Sequence, residues 1–429
     1  MNWMAPRVRA IRAALNGLDW TRDELDQNRD ECLRELVQHA YDNVPYYRAA
    51  FDRAGLQPQQ IQGLADIGRI PITTRADIQA APGQFIASDA RHTSLISHLS
   101  SGSRGMPVHT KRTLFEERIL SGIRLRVLMR YGMRLTDKRA SVSMEDAGDR
   151  PLASYIGFFG RTLIDAGMPP QDALRALCAA RPDVIIAYPA SLARLVEFIT
   201  PEQRRRIQPR LITLGGEMVL TSFRRDIAEC FQCPVRETYG ATEANLIAWG
   251  CPVTGHLHIA EHSVIVEICK EDQPVAVGES GEAIITVLHS RAMPFLRYRL
   301  NDLVTRGPAP CPCGHPAATL IAVRGRTNDW FKLPDGRLLH PFVVSDSVMD
   351  HIPGLRRLQI TQTSERELTI AIVPGQVLSA ASLAEAEGKI AASVGYCFQI
   401  KLKTVQGLDR GPNQKFNPFV PLRDWGGGQ

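Results

Sequence analysis

Short apolar strands alternate with helices of about ten residues between residues 171 and 239, and this alternation constrains the fold more than any other feature. The predicted elements are, in order, a helix at 171–180, a strand at 184–187, a helix at 190–199, a strand at 211–214, a helix at 221–231 and a strand at 235–238. Short strands joined by helices form parallel sheets with crossover helices. Open α/β sheets bind their ligands at the carboxyl ends of such strands.

The regions that follow have a different pattern. The further predicted elements are strands at 263–269, 282–287, 357–361 and 367–373 and a helix at 380–394. The sequence therefore predicts an α/β fold with a large N-terminal domain at 1–325, built of parallel α/β sheets and a β-rich subdomain at about 250–323. A small, mobile α+β C-terminal domain is expected at 326–429.

Composition excludes several classes of protein. The chain has 429 residues, 44% of them hydrophobic, which is enough for two or three domains with a large core. The sequence has no run of about 18 apolar residues, so no membrane span is expected. The N-terminus lacks the apolar core of a secretion signal, and nine cysteines, an odd number, favour a reducing compartment, so the cytoplasm is the expected location. A net charge of +6 without a dense basic run suits an anionic ligand and not a nucleic acid.

A loop of serines and glycines follows an apolar strand near residue 95. It reads Ser100-Ser101-Gly102-Ser103-Arg104-Gly105. Glycines allow the positive φ angles with which backbone N–H groups surround a phosphate. Loops of this kind are also common as simple turns, so this loop alone leaves both interpretations open.

Two more loops follow predicted parallel strands. They are Gly215-Gly216-Glu217 and Tyr239-Gly240-Ala241-Thr242-Glu243. In the second loop an aromatic ring can stack on a base, a hydroxyl can bond a phosphate and a carboxylate can hold Mg²⁺. A strand-to-helix turn with a capping threonine is the structural alternative. Three loops of this kind at strand ends favour a nucleotide site.

Cysteine and histidine residues form a compact pattern further on. Cys311 and Cys313 lie in Cys-Pro-Cys-Gly-His, which ends at His315, and Cys251 lies upstream with His256 and His258. Three thiolates and one imidazole make a closed tetrahedral zinc site. Buried cysteines without a metal are the alternative.

The three loops resemble those of the adenylate-forming superfamily of acyl-CoA ligases. Within it, the sequence resembles the phenylacetate–CoA ligase-like branch that includes the CapK-like proteins. The other segments that carry the resemblance are 39–47, 71–77, 181–184, 188–192 and 291–299. The resemblance covers nearly the whole chain.

The resemblance implies a nucleotide site made of these loops. It assigns the phosphate loop to Ser100, Ser101, Gly102, Ser103 and Gly105. It assigns the adenine side to Gly215, Gly216 and Glu217. Tyr239 would stack on the base, and Gly240 and Ala241, which follow it, would also line the nucleotide site.

The resemblance also implies the catalytic groups. Thr242 would bond the α-phosphate, and Glu243 would hold Mg²⁺. Asp302 would bind both ribose hydroxyls, since a carboxylate has two acceptor oxygens. Arg326 would contact the nucleotide at the domain junction, and Lys415 would reach the active site during adenylation.

For the metal, the CapK-like pattern favours His258 over His256 and His315. The implied zinc ligands are therefore Cys251, His258, Cys311 and Cys313, and the zinc is expected to be structural.

Four positions depart from the family pattern. Arg104 replaces a threonine and Met106 a lysine of the phosphate loop. Asn301 stands in a ribose motif that usually reads Arg-Thr-Gly-Asp, and Asn328 occupies a hinge position that is normally acidic. The departures bear on the rate and on the second half-reaction, which depends on domain rotation about the hinge.

The implied function is ATP-dependent activation of a carboxylic acid, followed by transfer to a thiol. ATP and CoA are the expected co-substrates, and Mg²⁺ and structural Zn²⁺ are the expected metals. A homodimer is one of the assemblies that the sequence allows. The expected acid pocket, whose aromatic content suggests an aryl acid, comprises Tyr155, Phe158, Phe159, Ala187, Tyr188 and Ala244. One alternative transfers the acyl group to an amine, a sugar or a carrier protein. Another is a non-catalytic, zinc-stabilised nucleotide-binding protein.

Overall fold

The structure is a computed structural model, and it describes residues 4–99, 108–144, 161–326, 330–352, 354–395, 398–408 and 416–422. The α-helices are α1 (Met4–Asn16), α2 (Arg22–Asn43), α3 (Pro45–Arg53), α4 (Arg75–Ala80), α5 (Leu114–Arg130), α6 (Pro170–Ala180), α7 (Pro189–Phe198), α8 (Pro201–Arg206), α9 (Thr221–Phe231), α10 (Pro341–His351) and α11 (Ala380–Ser393). Short 3-10 helices span Gly17–Asp19, Pro58–Gln60, Leu64–Arg69, Pro82–Phe85 and Ser88–Ala90.

The strands are β1 (Ile96–Leu99), β2 (His109–Arg112), β3 (Arg139–Ser143), β4 (Arg161–Asp165), β5 (Val184–Ala187), β6 (Leu211–Gly215), β7 (Val235–Tyr239), β8 (Ala248–Gly250), β9 (Leu257–Ile259), β10 (Val264–Lys270), β11 (Gln273–Pro274), β12 (Ser280–Val287), β13 (Tyr298–Arg306), β14 (Thr319–Arg326), β15 (Phe331–Lys332), β16 (Leu338–Leu339), β17 (Leu355–Ser364), β18 (Glu367–Pro374), β19 (Gln399–Thr404) and β20 (Phe419–Val420). In the stretch from α6 to β7, the predicted ends of helices and strands agree with the observed ends to within one residue.

The sequence prediction lacked two of the observed helix starts, and both are set by caps. The apolar pattern of the sequence predicts a helix that opens at Asp30 and ends near Asn43. Helix α2 begins eight residues earlier, at Arg22, because Thr21 and Glu24 form a reciprocal capping box. Helix α8 was not predicted. Thr200 starts it by accepting the backbone N–H of Gln203, and Pro201 fits the first turn.

The chain divides into two compact units. The first comprises residues 1–137, 213–216 and 236–323, and the second comprises 138–212, 217–235 and 324–429. The predicted domain division at residue 325 stays a prediction.

The first unit contains a mixed sheet with the strand order β11-β10-β12-β13-β14-β9-β8-β7-β6. Strands β10 and β12, which the sequence predicted, pair antiparallel with Val264 opposite Val287. Buried apolar residues of the sheet and of helices α2, α3 and α5 form one core, which includes Leu33, Phe51 and Ile123. This core supports the strands that end in the candidate site.

Segments that carried the family resemblance meet in the first unit and support β13. The Thr73 N–H donates to the Arg297 carbonyl at 3.0 Å, and the Arg299 N–H donates to the Thr73 carbonyl at 2.9 Å. The Tyr47 hydroxyl donates to the Pro294 carbonyl at 3.1 Å. These segments therefore form a scaffold beneath the strand that bears the expected ribose-binding aspartate.

The second unit contains the parallel strands β5-β3-β4 and, in its described part, a four-stranded sheet with the order β19-β18-β17-β20. Ile360, Ile370, Ile390 and Phe419 join the second sheet to helices α10 and α11 in a separate buried core. The α/β class, with a large multi-stranded sheet and a smaller one, is thus confirmed. Among the described residues, no helix has both the length and the apolar composition that a membrane crossing requires.

Candidate functional site

The loop after β7 is a tight turn that leads directly into β8. The Asn245 N–H donates to the Ala241 carbonyl at 2.7 Å, and the Ile247 N–H donates to the Tyr239 carbonyl at 2.8 Å. A Cβ at Gly240 would collide with the Asn245 carbonyl, so this position needs glycine. The turn presents the Tyr239–Glu243 motif at the carboxyl end of β7, as predicted.

Tyr239 and Asp302 lie together although 63 residues separate them in sequence. The Tyr239 hydroxyl donates a hydrogen bond to Asp302 Oδ2 at 2.7 Å. Both residues are largely buried, with exposed fractions of 8% and 9%. The residue expected to stack on adenine and the residue expected to bind ribose are therefore neighbours, as a nucleoside site requires.

Asn301 has φ +60°, in the left-handed region. Glycine, which the family pattern usually has here, adopts this conformation freely, and asparagine adopts it more readily than most other residues. Asparagine at this departure from the pattern is therefore compatible with the left-handed conformation that precedes Asp302.

Arg112 is a residue of this site that the sequence did not reveal. It ends β2, is 4% exposed, and donates from Nη2 to the Thr242 carbonyl. Its Nη1 donates to Glu117 Oε2 at 3.1 Å, and His98 Nε2 lies 2.9 Å from the same oxygen. The hydrogen bond with His98, supported by Arg112, lowers the pKa of Glu117. The β1–β2 hairpin that flanks the predicted phosphate loop is thus tied to the Thr242 turn.

The turn after β6 contains the second motif. Gly216 has φ +78°, a left-handed conformation that favours glycine. The carboxylate of Glu217, the next residue, accepts two backbone N–H groups within the second unit. One comes from Ala190 at 3.4 Å and the other from Phe416 at 3.2 Å.

Some of the remaining predicted residues lie in the described part of the chain, and others lie outside it. Glu243 is buried, with 6% exposure, and Arg326 ends β14, partly buried. Ala187 ends β5, Tyr188 follows it, and Ala244 is buried in the turn after β7. The predicted residues outside the described part of the chain are Ser100, Ser101, Gly102, Ser103, Arg104, Gly105, Met106, Tyr155, Phe158, Phe159, Asn328 and Lys415.

Four side chains of the first unit form a compact cysteine–histidine cluster. The potential ligand atoms of Cys251, His258, Cys311 and Cys313 all lie within 4.8 Å of one another. The sulfurs of Cys311 and Cys251 are 4.0 Å apart, and Cys313 Sγ lies 3.3 Å from His258 Nε2. The other ring nitrogen of His258, Nδ1, is buried and has no hydrogen-bond partner among the described residues.

The histidines that were the alternative ligands have other contacts. The His315 ring stacks on that of His258 with 4.5 Å between centroids, and its Nε2 lies 3.2 Å from the Leu18 carbonyl. His256 contributes its carbonyl, which accepts the Cys251 N–H at 2.6 Å. Neither belongs to the group of four donor atoms.

Backbone N–H groups point at the sulfurs of the cluster. Those of Val253 and Thr254 donate to Cys251 Sγ at 3.4 Å each, and that of His315 donates to Cys313 Sγ at 3.4 Å. Burial raises the pKa of Cys251, but the hydrogen bonds from Thr254 and Val253 outweigh it and bring the pKa to about 7. Burial, with the nearby His315 and Arg130, lowers the pKa of His258 to about 3. Burial and the neighbouring thiols of Cys311 and Cys251 raise the pKa of Cys313 to about 11. The surroundings therefore favour a thiolate at Cys251 and a neutral imidazole at His258, two of the forms that bind metals.

The fold is that of the adenylate-forming CoA ligases. It superposes on 2-hydroxyisobutyryl-CoA ligase in its postadenylation state with a TM-score of 0.77 and 19% identity, covering 95% of this chain and 92% of the other.

In sequence, the chain is 26% identical over 331 residues to phenylacetate–coenzyme A ligase of Thermus thermophilus, with 72% of each chain covered. It is 28% identical over 319 residues to the Escherichia coli enzyme of the same name, again with 72% of each covered. No family profile matches the chain. The two relatives confirm the resemblance to the phenylacetate–CoA ligase-like branch.

Proposed function

We propose that this protein is an ATP-dependent acid–thiol ligase that forms an acyl-adenylate and transfers the acyl group to CoA. The observation that carries the proposal is the hydrogen bond between Tyr239 and Asp302, because it joins the groups expected to bind adenine and ribose. The likeness to phenylacetate–CoA ligases supports a carboxylic acid and CoA as the other two substrates.

In the first step, a carboxylate oxygen of the acid attacks the α-phosphorus of ATP, and pyrophosphate leaves. Both reactants are anions, so positioning and charge neutralisation supply most of the acceleration. Thr242 would bond the α-phosphate, Arg326 would contact the nucleotide, and Lys415 would contact both acid and nucleotide. Glu243 would hold Mg²⁺, which when bound supplies positive charge against the phosphate oxygens.

In the second step, the thiol of CoA gives its proton to solvent and its sulfur attacks the acyl carbon of the adenylate. The bond between this carbon and the phosphate oxygen breaks, which gives the thioester and AMP. The proposed acid is an aryl or arylacetic acid, with Ala187, Tyr188 and Ala244 among the residues that would contact it.

We also propose that the cysteine–histidine cluster binds one structural zinc ion. Bond lengths of 2.3 Å to sulfur and 2.0–2.1 Å to nitrogen at tetrahedral angles separate two sulfurs by about 3.8 Å and a sulfur from a nitrogen by about 3.6 Å. The distances of 4.0 and 3.3 Å in the cluster are close to these values. Four protein ligands leave no position for substrate, so the ion would support the fold.

The proposed setting is a reducing, cytoplasmic compartment, and the proposed assembly is a homodimer. Free thiols persist in such a compartment, and the cysteines among the described residues are all free of disulfides. Light scattering after size-exclusion chromatography measures the assembly, and a mass equal to one chain would rule out the dimer.

The function is tested by acid-dependent exchange of labelled pyrophosphate into ATP. We expect exchange with at least one member of a panel that includes phenylacetate, benzoates and small aliphatic acids. Adding CoA with that acid should produce a thioester and AMP. Absence of exchange with every acid would favour a non-catalytic nucleotide-binding protein. Exchange without thioester formation would favour an amine, a sugar or a carrier protein as the acceptor.

Replacing Asp302 with alanine is expected to raise the KM for ATP about tenfold or more while lowering kcat less. The ribose contact exists both before and during the reaction, so its loss weakens binding in both states alike. Tyr239→Phe is the companion variant: it removes the hydrogen bond to Asp302 but retains the carboxylate and the aromatic ring, so it should raise the KM less than Asp302→Ala does. An unchanged KM in Asp302→Ala would remove Asp302 from the nucleotide site.

A further inference from the structure

The carboxylate of Glu217 bridges two parts of the second unit that are far apart in sequence. Its Oε2 accepts the N–H of Ala190 at 3.4 Å, and its Oε1 accepts the N–H of Phe416 at 3.2 Å. Glu217 and Phe416 are 199 residues apart. One side chain therefore fixes two backbone segments relative to each other.

The first of these segments is the start of α7. Tyr188, at the N-cap position, makes no side-chain capping hydrogen bond, so the first N–H groups of the helix need other acceptors. The Glu217 carboxylate supplies one to Ala190, and its negative charge is favourable at the positive end of the helix dipole. The Oε2 end of Glu217 is thus anchored on a rigid element.

The second segment, residues 416–418, also has contacts that do not involve Glu217. The N–H of Ile360 in β17 donates to the Pro418 carbonyl at 2.8 Å. The Phe416 ring lies 5.9 Å from that of Phe223 in α9, and the Arg357 guanidinium lies 5.6 Å from the Phe223 ring. Glu217 therefore holds the beginning of a segment that the sheet holds two residues later.

The N–H of Phe416 belongs to the peptide bond that joins it to Lys415, the proposed catalytic lysine. We infer that Glu217 is a positioning residue that holds the backbone N–H of Phe416, the residue after Lys415, for adenylation, rather than a residue that only lines the adenine. The inference rests on the proposed function for the role of Lys415. It does not depend on the identity of the acid or of the acyl acceptor.

Glu217→Gln tests this inference with little change in shape. A carboxylate accepts hydrogen bonds at both oxygens, whereas an amide presents one oxygen and one NH₂ group. Whichever way the amide is turned, its NH₂ group would face the N–H of either Ala190 or Phe416, and two donors cannot form a hydrogen bond. Glu202→Gln is the matched control, since Glu202 lies on α8 in the same unit with its side chain 69% exposed.

The expected result is a decrease of about 10- to 100-fold in kcat for pyrophosphate exchange, with a much smaller change in the KM for ATP. This is the fold-change that corresponds to losing one hydrogen bond to a charged group. The rate at which CoA consumes preformed acyl-adenylate should also be measured. Its fold-decrease should be at least ten times smaller than the fold-decrease in the rate of pyrophosphate exchange. A raised KM for ATP with normal kcat would instead assign Glu217 to the adenine and overturn the inference. Equal decreases in the rates of both half-reactions would also overturn it.

Hydrogen–deuterium exchange tests the contact without using activity. In Glu217→Gln, a peptide that contains Phe416 should exchange its amide hydrogens faster than in the unaltered protein, while Glu202→Gln should leave it unchanged. Unchanged exchange at Phe416 would overturn the inference even if the protein adenylates acids. Faster exchange at Phe416 in a protein that forms no adenylate would support the contact and refute the proposed function instead.

Discussion

Lys415→Ala is expected to lower the rate of adenylation about 10²–10³-fold, the scale of removing one electrostatic stabiliser of a transition state. Two anions approach each other in this step, and a lysine that contacts both offsets their repulsion. The family resemblance assigns this role to Lys415. The next residue, Phe416, donates its backbone N–H to Glu217, which the same resemblance places in the nucleotide site.

The measurement is pyrophosphate exchange at saturating ATP and acid, together with a melting curve to verify folding. Lys389→Ala is a suitable control, because Lys389 is an exposed lysine of α11 whose ammonium pairs with Glu385 at 2.7 Å. We expect the control to keep normal exchange and both variants to melt near the unaltered protein. Near-normal exchange in Lys415→Ala would exclude the proposed role.

Cys311→Ser is expected to lower the zinc content from about one ion per chain to well below one, and to lower the melting temperature by roughly 5–10 °C. The cluster joins the β8–β9 region to the turn at residues 311–315, so loss of the ion would release two neighbouring loops. Zinc binds to small zinc-finger peptides with a free energy of about 10–16 kcal/mol. The effect should be smaller here, because a large core supports the same unit.

Elemental analysis of protein prepared without chelator measures the zinc, and calorimetry measures the melting temperature. Cys269→Ser is the matched control, since Cys269 is as buried as Cys311 but lies outside the cluster. This control separates loss of the metal from the cost of burying a hydroxyl. The folded fraction of Cys311→Ser should still bind ATP. Protein without zinc, or zinc content unaffected by Cys311→Ser, would refute the assignment.

The parallel strands were predicted closely because a local pattern defines them. Each of β5 and β6 is a short apolar run between helices, and its length of four or five residues favours a strand over a helix. The start of α2 was missed because the residues after Thr21 are mostly polar, so that only the capping box marks the helix start.

The site contacts made by distant residues could not be predicted. Arg112 donates to the carbonyl of Thr242, 130 residues further on, and nothing in the local sequence of either residue indicates the partner. The same holds for Glu217 and Phe416. A side-chain hydrogen bond between such residues depends on how the sheets and helices pack, and this packing is set by the fold as a whole.

The contact between Arg112 and the Thr242 carbonyl has a consequence for the order in which substrates bind. The hairpin that contains Arg112 flanks the predicted phosphate loop, whereas the Thr242 turn also contains Ala244, an expected contact of the acid. In the proposed enzyme, the two substrates thus contact one connected element, and we expect their affinities to be linked through it. Thermodynamic reciprocity then requires that bound acid change the affinity for ATP by the same factor as bound ATP changes the affinity for the acid.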